Sequence, residues 1–210
     1  MNYTQKIKTL LSSDDDYTLQ SGMMLLESLD EPSLADILKP LSYIEETLYP
    51  PVIFRRHVST YIQLLARYAK HDTEIASFCA SITKLSLPKM GCNLDLQAFS
   101  NVTKLIIYQV EEGLDLSVLA ELSLLTDLEM CRVGSGVDIL FVSSLKKLQS
   151  LTITSWPTLE CIDGLADHPT LRTLRIVACP KISATTVLER IPNLEHVQVF
   201  GSPNVVVPSR

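Results

Sequence analysis

The sequence predicts an α/β solenoid: a parallel sheet of about six short strands over residues 82–210, preceded by an α-helical region over residues 1–81. Three observations carry this. The pattern apolar-x-x-apolar-x-apolar starts at Ile82, Val102, Leu125, Leu148, Leu171 and Leu194, in steps of 20, 23, 23, 23 and 23 residues. The first 81 residues lack this period and show helical apolar spacing instead. Composition is 46% hydrophobic but only 6% aromatic, so an aliphatic core is expected. Mean hydropathy is high at +0.20, yet no apolar run approaches the ~18 residues of a membrane span.

The helical region is read in order. Ile7, Leu10 and Leu11 share one face, as do Leu19, Met23 and Leu26, then Leu34, Ile37, Leu38 and Leu41. Carboxylates at Asp14–Asp16 suit the start of the second helix, where they cap free N–H groups. Asp30-Glu31-Pro32 reads as another start, with proline in the first turn. Tyr49-Pro50-Pro51 divides the segment into a front group of about three helices and a rear pair. In that pair Val58, Ile62, Leu65 and Ala69, then Ile75, Phe78, Cys79 and Ile82, lead without a linker into the first strand. The ends of a solenoid expose core, so this bundle is expected to cap the first repeat.

Each repeat has a second half. Apolar residues return fourteen, seventeen and twenty places after the repeat start, as Leu116, Leu119 and Leu122, then Ile139, Val142 and Leu145. The next repeat has Ile162 and Leu165 but His168 in the last place, and the fifth has Leu188 and Ile191 after Thr185. That three-residue rhythm suits a 3₁₀ or short helical return path. No single unit buries its own apolar edge; stacked units share one core. The terminal Val205, Val206 and Val207 are expected to cover the open end, with Pro208 blunting further pairing.

With LTDLEM, LQSLTI and LRTLRI as its clearest strand signatures, the segment from residue 82 to about 203 resembles a leucine-rich-repeat solenoid. The family normally places Asn or Cys in the turn after the strand, bonding loop backbone. Here that place holds Val110, Val133, Trp156, Cys179 and Ser202. Only Cys179 matches well, so the turn backbone must be satisfied by other means. Trp156 is expected in the core of its turn.

Tests for chemistry return little. GxGxxG, GxxxxGK[ST], HExxH and GxSxG are missing, and the glycines are scattered. Cys79, Cys92, Cys131, Cys161 and Cys179 form an odd set without a CxxC pair, which argues against a disulfide framework or zinc site and fits a reducing cytosol. The N-terminus has no apolar signal segment, so the sequons at Asn2 and Asn101 are read as chance and the expected location is cytoplasmic. A net charge of -6 disfavours nucleic acid and anionic membranes as partners. Cys131 and His196 would sit three strands apart, roughly 14 Å, too far for a nucleophile and its base. Asp127 and Glu129 are roughly 7 Å apart without a sugar-binding aromatic cluster. No catalytic residue, metal site or cofactor is expected.

Strand alternation assigns the solvent-facing side, the concave face. One row reads Lys84, Lys104, Asp127, Ser150, Thr173, His196. The next reads Ser86, Ile106, Glu129, Thr152, Arg175, Gln198. The third reads Pro88, Tyr108, Cys131, Thr154, Val177, Phe200. The third row is apolar for a solvated face, and exposed apolar patches with aromatic anchors and a charged rim mark protein interfaces. The expected function is a non-enzymatic module that binds one protein partner along this face; self-association on the same surface is a further option. The family resemblance implies adaptor, inhibitor or immunity-type roles. The competing reading is an effector or enzyme whose activity resides in the helical third, around Arg55, Arg56 and His57, with the repeats recognising substrate.

Overall fold

The computed structural model describes residues 3–13, 15–28, 38, 57–91, 94–183 and 186–205. Asp14, the breaks at Asp30-Glu31-Pro32 and Tyr49-Pro50-Pro51, the helical positions Leu34, Ile37 and Leu41, Arg55 and Arg56, Cys92, Thr185, and the terminal Val206, Val207 and Pro208 lie outside these residues.

Helix α1 spans Tyr3–Leu11 and α2 spans Asp16–Ser28. Asp15 starts α2: its carboxylate accepts the Thr18 N–H at 2.8 Å and the Thr18 hydroxyl at 2.6 Å, which satisfies donors the first turn leaves open. Ile7, Leu11, Leu19, Met23 and Leu26 are buried, the faces that the spacing predicts. Gly22 lets the two helices meet, because a Cβ there would lie 2.9 Å from Cβ of Leu10.

Helix α3 spans Val58–Tyr68 and α4 spans Thr73–Ser81. Asp72 caps α4, its Oδ1 accepting the N–H groups of Glu74 and Ile75 at 2.9 Å each. Both helices reach the first repeat. The Ser59 hydroxyl donates to the Lys89 carbonyl at 2.6 Å, and Lys70 pairs with Asp95 at 2.8 Å. Tyr61, buried on α3, donates its hydroxyl to the Leu38 carbonyl at 2.7 Å.

Six strands follow: β1 Lys84–Leu87, β2 Lys104–Ile107, β3 Asp127–Cys131, β4 Ser150–Thr154, β5 Thr173–Val177 and β6 His196–Phe200. They form one parallel sheet in sequence order. Lys84, Lys104, Asp127, Ser150, Thr173 and His196 stand side by side, so the register repeats the sequence period without a slip. The return paths are 3₁₀ turns at Gln97–Phe99, Leu116–Glu121, Leu140–Ser144 and Asp163–Leu165, then a one-turn helix α5 at Thr186–Glu189. Asp95, Asp115 and Asp138 help start three of these, each accepting a backbone N–H two residues on, at 2.8–3.0 Å.

The strand Leu-type positions are buried through β5, whereas Val197 and Val199 on β6 are only half-buried because no further repeat among the described residues covers them. Val205 packs partly against this end, as the sequence predicts.

The post-strand turns close by backbone geometry. Arg132, Ser155 and Ala178 adopt φ of 46°, 57° and 54°, and Gly201 takes 61° at the equivalent place. After the left-handed Arg132 the next N–H, that of Val133, reaches the following repeat and donates to the Ser155 carbonyl at 3.2 Å; Val110, after Gln109, makes the equivalent bond to the Arg132 carbonyl, also at 3.2 Å, without a left-handed residue before it. Ser202 corrects the expectation that Cys179 alone suits its place in the turn, since its buried hydroxyl accepts the Cys179 N–H at 3.0 Å. A hydroxyl thereby does here what an amide would do in the family pattern.

Candidate interaction face

Alternation along each strand turns one side chain into the core and the next outward. Strands β2 to β5 alternate between buried and exposed or half-buried residues in that way. Every residue predicted for the face lies on the side away from the core. Lys104 and Ile106 come from β2, with Tyr108 just beyond it. Asp127, Glu129 and Cys131 come from β3, and Thr152 and Thr154 from β4. Arg175 and Val177 come from β5, and His196, Gln198 and Phe200 from β6. Tyr108 is 46% exposed and Phe200 56% exposed, so this end row does present aromatic surface to solvent.

Lys89–Glu111, Arg172–Glu195, Lys181–Glu160 and Arg190–Asp167 are ion pairs between adjacent repeats, and all lie off the sheet face. Among the described residues, Lys84, Lys104, Glu129 and Arg175 join no ion pair. Asp127 is turned toward the Thr126 hydroxyl, which donates to it at 2.7 Å, rather than toward Lys104 on the neighbouring strand.

Cys131 does not carry the attributes of a nucleophile. Partial burial, and then the Glu129 carboxylate 3.9 Å from its Sγ, push its pKa up and keep the thiol protonated. His196 lies across β4 and β5 from it, as the strand count predicts. Among the described residues no group of three His, Cys, Asp or Glu side chains could hold a metal ion. No described helix is long and apolar enough to cross a membrane.

His168 takes the apolar place of its repeat and is buried, with Nε2 3.1 Å from the Leu145 carbonyl. Trp156 is fully buried in its turn, as expected, although its indole N–H has no partner among the described residues.

Sequence reasoning missed a second concavity. A groove of about 870 Å³ follows the post-strand turns and is lined by residues including Lys89, Glu111, Arg132, Pro157, Pro180 and Gly201. Its floor depends on the left-handed residues, and of these only Gly201 is signalled by residue type.

The sequential parallel sheet, its 23-residue register and the 3₁₀ return paths together decide the architecture. It is a parallel α/β solenoid, the architecture that the resemblance to leucine-rich repeats implies. No family model matches the chain, and no curated protein does. Among solved structures, the chain is similar to an internalin C2 from Listeria monocytogenes, at 22% identity and a TM-score of 0.49, covering 66% of this chain and 55% of that one. It is also similar to an internalin from the same organism, inlF, at 14% identity and a TM-score of 0.36, covering 66% and 54%. The chain thus spans about half the length of these solved structures.

Proposed function

We propose that this leucine-rich-repeat protein is a non-enzymatic binding module that holds one protein partner against the open face of its sheet. The observation that carries the reading is the set of exposed charges at Lys84, Lys104 and Arg175 with the half-buried Glu129, unpaired among the described residues, beside the exposed aromatic rings of Tyr108 and Phe200. Aromatic anchors supply buried area at low entropic cost, and charges around them favour one partner over others. Cytoplasmic adaptor, inhibitor or immunity-type neutraliser are the roles proposed for such a module. Nucleic acid is not proposed as a partner, given the net charge of -6.

Affinity capture from native lysate, run beside a Tyr108→Ala/Arg175→Glu double variant, tests this. The expected result is one stoichiometric protein captured by the parent chain and lost with the variant, with both proteins equally folded by circular dichroism. Equal capture by both would remove the face assignment.

A further inference from the structure

The two ends of the sheet are finished differently. On β1, Leu85 and Leu87 are buried although no strand lies beyond them, at the end where α3 and α4 pack. That strand also carries Lys84 and is followed by Pro88, residue types that discourage pairing at an edge. Strand β6 has neither protection. Among the described residues it pairs with β5 alone, and its sequence HVQVF holds no proline and no Lys, Arg, Asp or Glu. Val197 and Val199 stay half-buried at this open end of the core.

The backbone of β6 has a defined free side. The His196 N–H donates to the Arg172 carbonyl at 2.9 Å, and the Phe200 carbonyl accepts the Ala178 N–H at 2.8 Å. Alternate residues of a parallel strand bond the same neighbour, so His196, Gln198 and Phe200 bond toward β5. Val197 and Val199 then turn their N–H and C=O groups to the open edge.

That edge complements itself. Laid antiparallel about a two-fold axis at Gln198, Val197 of one copy exchanges both backbone bonds with Val199 of the other, and the same valines cover each other's half-buried core face. Gln198 meets Gln198 of the second copy in a non-hydrogen-bonded pair, where side chains come closest. An amide is donor and acceptor at once, so it bonds its own copy. In the same row Glu129 of β3 or Arg175 of β5 would oppose like charges if set against itself. Around the axis no like charges meet. Glu195 would face Gly201 and is already paired with Arg172 at 2.8 Å. Arg175 and its copy would stand three strand spacings apart, about 14 Å, beyond the ~8 Å screening length of physiological salt. A head-to-tail stack of β6 on β1 is opposed by Lys84 and by the helices at that end, so the association closes as a pair.

We infer that β6 is a self-association edge, at which two copies of this chain pair antiparallel about Gln198. The inference goes beyond the partner reading and does not rest on it.

Sedimentation velocity of the full chain, in a concentration series to about 500 μM, tests it, because a pair of five-residue strands lies at the small, weak end of interfaces. The parent chain is expected to show a monomer–dimer equilibrium. Gln198 is exposed in the single chain, so Gln198→Lys and Gln198→Glu are expected to fold, as circular dichroism would check. Each opposes like charges at the axis and is expected to weaken the dimer about tenfold or more, while an equimolar mixture of the two regains it as a heterodimer. A parent chain monomeric throughout, a dimer indifferent to charge at Gln198, a mixture no tighter than the single variants, or growth to larger oligomers would overturn the inference. A dimer that forms only after removal of residues 206–210 would also overturn it, giving the edge to the chain's own terminus.

Discussion

At Ala178, with φ 54°, a side chain occupies a backbone conformation that glycine enters at no cost. Ala178→Gly is expected to stabilise the protein by about 0.5–1 kcal/mol, and Gly201→Ala, at φ 61° in the next repeat, to destabilise it by about 1 kcal/mol. Urea unfolding of the two variants checks both signs at once. Among the described residues, His168 ties stability to pH near neutrality. Burial pushes its pKa below the ordinary value of 6.5, outweighing the bond to the Leu145 carbonyl, and Lys146 acts in the same direction as burial. The unfolded chain therefore binds more protons than the fold around and below pH 6.5, so stability rises with pH through that window and is lost on acidification. The unfolding midpoint is expected to drop between pH 7.5 and pH 5.5, and His168→Leu is expected to flatten that slope. The carboxylates that the fold holds below the ordinary 3.8, Asp15 by Thr18 and Asp115 by Ser117, change stability only in more acid solution.

Among the elements, position in the stack decides how much a side chain is worth. Leu151 on β4 is covered by repeats on both sides and fully buried, while Val197 on β6 has a repeat on one side and is half-buried. Leu151→Ala is expected to cost about 3–5 kcal/mol through lost transfer energy and a residual cavity. Val197→Ala should cost about 1 kcal/mol, because its two missing methyl groups were already partly in water. Denaturant titration of the pair would show whether the gradient runs with the stack. At the other end, Asp72 satisfies two N–H groups of α4, and Asp72→Ala should cost about 1 kcal/mol.

For the whole molecule, α3 rests on the first repeat through Ser59, the turn after it through Lys70, and α4 through the Ala80 carbonyl, which accepts from the Asn101 side-chain amide. Their removal would expose Ile82, Leu85 and Leu87, now fully or almost fully buried. A chain starting at residue 82 is expected to lose cooperative thermal unfolding and to associate, because repeat stability is a sum of interfaces and an uncovered end supplies none. Calorimetry and light scattering of that truncation beside the full chain would check it; a monomeric, cooperatively unfolding product would show the helices to be dispensable for folding.

The solenoid could be read from the sequence because its cause is periodic and local. Alternation within a strand fixes which way Tyr108, Glu129 and Arg175 point, and the 23-residue step fixes which residues stand beside them, so the whole face was predictable down to its rows. Trp156 was legible as buried for the same reason, whereas His168 was legible only as the occupant of an apolar place in its repeat. Other features depend on contacts between repeats. Ser202 accepts the Cys179 N–H across 23 residues, and nothing in either residue's neighbourhood marks the pairing. Arg132, Ser155 and Ala178 take a glycine-like conformation because the turn must return its N–H groups to the next repeat; no local preference favours it. The groove along those turns and the absence of ion-pair partners for Glu129 and Arg175 among the described residues follow from the same assembly. Periodicity determines which residues are neighbours, but only the packed stack decides which polar groups those neighbours leave unsatisfied.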